Sequence, residues 1–174
     1  MLSSREQRGM PIPYPAKAVA NYFLNKNRDL TQMKLHKLVY YAHGWHLGFM
    51  GQPLLDETLE AWTYGPVVPS VYSEFWRCGS SPIRRLATAF DWETMAEYSP
   101  EVDPSDRIVR DLLARVWEVY GDYTAAELSN LTHAENSPWT ATRKANPGVK
   151  RAGIPNKLLR SHFEERIGGG PVDG

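Results

Sequence analysis

At 174 residues, with 42% hydrophobic and 23% charged side chains, the chain has the length and balance of one globular domain, and neither a disordered nor a membrane class is indicated. The formal net charge of zero removes the overall phosphate attraction of most nucleic-acid binders, and the single cysteine, Cys78, excludes an intramolecular disulfide. No apolar run approaches the roughly 18 residues of a bilayer span and the start lacks a signal-peptide core, so a cytoplasmic protein without a membrane partner is expected.

Residues 1–15, with Pro11, Pro13 and Pro15 in a polar setting, read as a flexible leader. Val19, Ala20 and Phe23 fall at helical spacing and predict a helix from Ala16 to Lys26. Thr31 stands where an N-cap is wanted. Behind it Leu35, Leu38, Val39, Ala42, Trp45 and Phe49 recur at steps of three and four until Gly51, which predicts an amphipathic helix with a polar face at Lys34, Lys37 and Tyr40.

Thr58 to Tyr64 alternates and is rich in Trp, Tyr and Thr, as a strand is, with Gly65-Pro66 as its stop. A helix should follow from Pro69 to Arg77, turning Val71, Tyr72, Phe75 and Trp76 toward one face and ending at Gly79. A second strand near Leu86 to Phe90 is expected to pair with the first. Asp103 as N-cap and Pro104 in the first turn open a helix closed by Gly121, with Ile108, Val109, Leu112, Val116 and Tyr120 as its apolar stripe.

Thr124 and Glu127 form a capping box for a helix bearing Leu128 and Leu131, and Ser137-Pro138-Trp139 begins another turn. Pro155 starts a final helix with Leu158, Leu159, Phe163 and Ile167, and residues 168–174 read as a flexible glycine-rich tail. The sum is a mainly α domain over 16–167, of five to six helices with room for a small β-hairpin.

Chemistry finds little footing. His36, His43 and His46 share the second helix, but no carboxylate accompanies them there to complete a zinc shell, and no metal or other cofactor is expected. Cys78 lies at a helix C-terminus, where the dipole opposes a thiolate. No nucleophile elbow, phosphate-cradling loop or dinucleotide fingerprint occurs, so the chain does not read as an enzyme. Two charge runs stand out, acidic from Asp91 to Asp106 and basic over 143–160, and solvated faces are the simpler reading of both. Trp45, Trp76 and Trp117 belong with helical stripes and hence with the core, whereas Trp62, Tyr64 and Trp139 border turns, where half-exposed aromatics anchor partners.

Leu30-Thr31-Gln32-Met33-Lys34-Leu35-His36-Lys37-Leu38-Val39-Tyr40-Tyr41-Ala42-His43-Gly44-Trp45-His46-Leu47 resembles the first signature of the Panacea antitoxin-like family, the SocA-like and phage-associated proteins. Glu60-Ala61-Trp62-Thr63-Tyr64-Gly65-Pro66-Val67-Val68-Pro69-Ser70-Val71-Tyr72 resembles the second, and Tyr120-Gly121 through Pro138-Trp139 resembles a third. His36 departs from the glutamine common there. The resemblance implies a helical antitoxin that neutralises a cognate toxin, encoded alongside, by direct binding. Lys34, Lys37, Tyr40, Trp62, Tyr64, Pro66, Val67, Tyr72 and Trp139 are the candidate contacts. Delivery of the toxin to a protease, or nucleic-acid binding through the basic 143–160 run, are the alternatives. The short proline-rich leader leaves no room for a helix-turn-helix.

Overall fold

The helix that follows Thr31 is the axis of the molecule. In the computed structural model, which describes residues 12–27 and 29–169, this helix, α2, spans Gln32–Met50 behind α1 at Ala16–Lys26. The Thr31 side chain accepts the Lys34 N–H, and Gly51 closes α2 with φ 67, a backbone state in which glycine carries no Cβ penalty. Every residue from Leu35 to Leu47 is buried. A helix covered all round is a core helix, so the polar face expected at Lys37 and Tyr40 does not meet solvent.

The cover comes from both halves of the chain. α3 at Pro69–Phe75 runs into a single 3-10 turn at Trp76–Cys78, and α4 spans Arg107–Tyr120. α5, α6 and α7 follow at Ala125–Thr132, Pro138–Ala145 and Asn156–Gly168. α1, α3, α4, α5 and α7 all pack on α2. Tyr41 stacks on Tyr120 at 4.1 Å between ring centroids, Trp45 meets Phe163 edge-on at 4.9 Å, and the Trp45 indole N–H donates to the Tyr120 hydroxyl at 3.0 Å. These contacts fasten α4 and α7 to the axis while satisfying the one polar atom of a buried tryptophan.

Strands β1 at Glu60–Trp62, β2 at Gly65–Val67 and β5 at Ala152–Gly153 form an antiparallel sheet in the order β2-β1-β5. Gly65-Pro66 is therefore not the stop it was expected to be. It lies within β2, at the edge of the sheet, where a proline's missing N–H costs no ladder bond. β3 at Ala89–Asp91 also departs from expectation: it pairs with β4 at Ala96–Tyr98 in a separate two-stranded hairpin and not with β1.

Other boundaries move for local reasons. Asp103 receives the Ser105 N–H in a tight turn, so α4 opens three residues later, with the Asp106 carboxylate accepting the Val109 N–H. The buried stripe becomes Val109, Leu113, Val116 and Tyr120, leaving Ile108 exposed. Leu131, Ile167 and Trp76 also face solvent, the last because the helix has tightened into the 3-10 turn. The turn expected at Ser137 is a full helix, α6, capped by the Ser137 hydroxyl on the Thr140 N–H.

The leader expected through residue 15 is ordered in its described part. Tyr14 is fully buried, its N–H donates to Leu54 O at 2.7 Å, and its hydroxyl donates to Asp106 at 2.8 Å. Residues 1–11 and most of the expected tail, 170–174, lie outside the described residues, whereas Gly168 ends α7. Among the described residues no helix is long and apolar enough to cross a membrane.

Candidate partner-binding surface

The β1–β2 register sets Trp62 opposite Gly65, which leaves Thr63 and Tyr64 as a two-residue turn. The turn is pinned from below, where the Ser129 hydroxyl of α5 donates to the Tyr64 carbonyl at 3.0 Å. The Tyr64 side chain itself points away and is 74% exposed. Gly65 has φ 112, and a Cβ there would lie 2.7 Å from Cε of the buried Lys37, so both backbone shape and space demand glycine.

Trp62 is half-buried and held on three sides. Its indole N–H donates to Glu60 at 2.6 Å, its ring meets that of Tyr72 at 4.7 Å, and the Arg151 guanidinium lies 4.3 Å over its face. Trp139 joins from α6, donating its indole N–H to the Trp62 carbonyl at 2.8 Å. On Trp139 rest the His133 ring at 3.9 Å and the Arg143 guanidinium at 5.8 Å. Three aromatic side chains and two arginines thus form one half-exposed surface around a rigid turn. Preordered aromatic and arginine side chains recognise protein surfaces at low entropic cost.

Of the nine residues expected to contact a partner, Trp62, Tyr64, Tyr72 and Trp139 come together here. Lys37, Tyr40, Pro66 and Val67 are instead buried in the fold. Lys34 is half-buried elsewhere, donating to the Gly121 carbonyl beside the Trp117 ring. Arg143 and Arg151 were missed as members of the surface. Both belong to the basic run, which signals charge but not which ring each arginine covers. The fold divides that run, with Arg143 and Lys144 on α6, Lys150 and Arg151 before β5, and Lys157 and Arg160 on α7.

The three helix-borne histidines each bond backbone through Nδ1. His36 Nδ1 accepts the Val68 N–H at 3.2 Å, and His43 Nδ1 accepts the Leu55 N–H at 3.3 Å while its other nitrogen meets Asn156 at 2.9 Å. His46 Nδ1 donates to the Gln52 carbonyl at 2.7 Å. Burial holds the His36 ring down to about 3 and the His43 ring to about 4, so both are neutral at physiological pH. Among the described residues no group of three or more His, Cys, Asp or Glu side chains is arranged to hold a metal ion.

The family model described as "Antitoxin SocA-like, Panacea domain" matches residues 35–140, from the first turn of the axial helix to Thr140 of α6. The chain is 35% identical over 162 residues to Antitoxin SocA of Caulobacter vibrioides (strain NA1000 / CB15N), covering 88% of this chain and 84% of that protein. No solved structure matches.

Proposed function

The chain belongs to the SocA-like, Panacea-domain antitoxin family, and from that premise we propose that it neutralises a cognate toxin, encoded beside it, by direct binding in the cytoplasm. The action is occupancy of a toxin surface, with no chemical step. The observation that carries this reading is the Tyr72–Trp62–Arg151 stack beside the exposed Tyr64, fixed by the Trp139 hydrogen bond. Its members are already held in place before any partner arrives, so little side-chain freedom remains to be lost on binding.

Co-expression with the adjacent reading frame tests the proposal. The neighbour alone should arrest growth, the pair should restore it, and the two proteins should copurify. Arrest that this chain leaves unrelieved would overturn the reading.

A further inference from the structure

The β3–β4 hairpin presents apolar side chains that the fold does not use. Phe90, Trp92, Met95 and Tyr98 are all exposed, Trp92 by 78% and Met95 by 67%, and β4 is exposed along its whole length. A two-stranded ribbon is marginal by itself, and an exposed apolar cluster on it adds no core. Phe90 and Trp92 share a face, their rings meeting edge-on at 4.7 Å. The turn between the strands is formed by the Asp91 carboxylate, which accepts the N–H groups of Glu93 at 2.8 Å and Thr94 at 3.3 Å.

Met95 ends that turn at φ 55, the one non-glycine residue of positive φ among those described. A methionine there carries strain that glycine would relieve. What the strained position provides is a long, adaptable, exposed apolar side chain at the end of the turn that carries Trp92.

The surroundings define the chemistry of the occupant. Within the hairpin itself, residues 89–98, Asp91, Glu93 and Glu97 occur and no Lys or Arg does. Glu97 pairs across the ladder with Phe90 and therefore lies on the same face as that ring. An apolar tip on a hairpin whose charged residues are all acidic complements an apolar pocket with a basic rim.

We infer that the hairpin 89–98 is a second docking element for the toxin, inserting Trp92 and Met95 into an apolar pocket rimmed by Lys and Arg on the toxin surface. This rests on the antitoxin reading. It adds the element that bears the contact and the chemistry of the surface it meets. Two attachment points on different parts of the chain, the Trp62 surface and this hairpin, would clamp the toxin more firmly than either alone.

The test measures binding of the purified product of the adjacent reading frame to the full-length chain and to Trp92→Ala, Met95→Gly and Glu97→Lys. Trp92→Ala and Met95→Gly should each weaken binding about tenfold or more. Met95→Gly should at the same time keep or raise the melting temperature, because it relieves the backbone, so its loss of affinity cannot be blamed on unfolding. Glu97→Lys should slow association and flatten its dependence on salt. Unchanged affinity in all three variants, with the parent binding normally, overturns the hairpin assignment and leaves the antitoxin reading intact. A parent that does not bind the neighbour removes both. Concentration-dependent self-association that Trp92→Ala abolishes would make the occupant a second copy of this chain and overturn the assignment as well.

Discussion

Phe163 of α7 fills the space that a side chain on Gly44 would need: a Cβ built there would stand 2.0 Å from the Phe163 ring. The glycine lies in the middle of a helix, where alanine has the better intrinsic propensity by about 1 kcal/mol. Packing reverses that preference. Gly44→Ala should lower stability by about 1 to 3 kcal/mol, as overpacking of a filled core does, and Phe163→Leu in the same chain should recover part of the loss. Urea denaturation of the two single variants and the double variant decides it, and a Gly44→Ala protein as stable as its parent would refute the close approach.

Lys37 gives a prediction of opposite sign. The residue is 1% exposed, its ammonium has the Pro66 carbonyl at 3.4 Å, and among the described residues it is paired with no carboxylate. Burial draws its pKa down to about 8. The unfolded chain, with its pKa near 10.5, holds the proton more tightly, so stability is fullest above that value and declines as pH falls to about 8. Near neutrality the cost has been incurred in full, about 3 kcal/mol by order of magnitude. Lys37→Met should therefore be the more stable protein at pH 7, and its advantage should shrink toward pH 10. A variant weaker than the parent at pH 7 would show that the ammonium is solvated or paired.

Much of the helical frame was legible because caps are local. Thr31 with Gly51, and Thr124 with Glu127, bracket helices by hydrogen bonds whose partners lie a few residues away. What periodicity does not reveal is whether the polar side of a helix is covered. Lys37 and Tyr40 were expected on a polar face yet are buried, and the histidines of the same helix bond Val68, Leu55 and Gln52 of the chain that wraps over α2. A strand near β3 was expected, but β4 and its pairing escaped because the 96–98 strand is exposed and the turn uses Met95 where glycine would have been the signal. The candidate surface was half legible. Its aromatics border turns, but only strand register and α6 docking bring Trp139 to Trp62, and nothing local distinguishes Arg151 from its basic neighbours.

The wrapped histidines make stability fall in acid. His36 and His43 have pKa values of about 3 and about 4 in the folded protein, below the ordinary 6.5. The unfolded state therefore takes up protons first as pH drops below 6.5, and each ring removes about 1.4 kcal/mol per pH unit until its folded value is reached. His36→Gln keeps an acceptor for the Val68 N–H without a titrating ring. Its stability should decline less steeply than the parent's between pH 6 and 4.5, by about one histidine's share. Parallel pH profiles for the two proteins would mean that His36 is already open to protonation in the fold.

Tyr64 separates recognition from folding most cleanly. Its carbonyl anchors the β1–β2 turn through Ser129, while its side chain stands 74% exposed. Truncating an exposed side chain that supports no other group should change stability by less than about 0.5 kcal/mol. If the Trp62 surface holds the toxin, Tyr64→Ala should nevertheless weaken binding by about 1 to 2 kcal/mol, roughly tenfold, because an aromatic at the centre of a contact carries a large share of its energy. Arg151→Ala should weaken binding too, but with some loss of order in Trp62, whose ring face it covers. Calorimetric titration against the neighbouring gene product, alongside thermal melts, reads both quantities. A Tyr64→Ala protein that melts and binds like its parent would move the toxin contact away from this turn, since no change in folding could then have masked its loss.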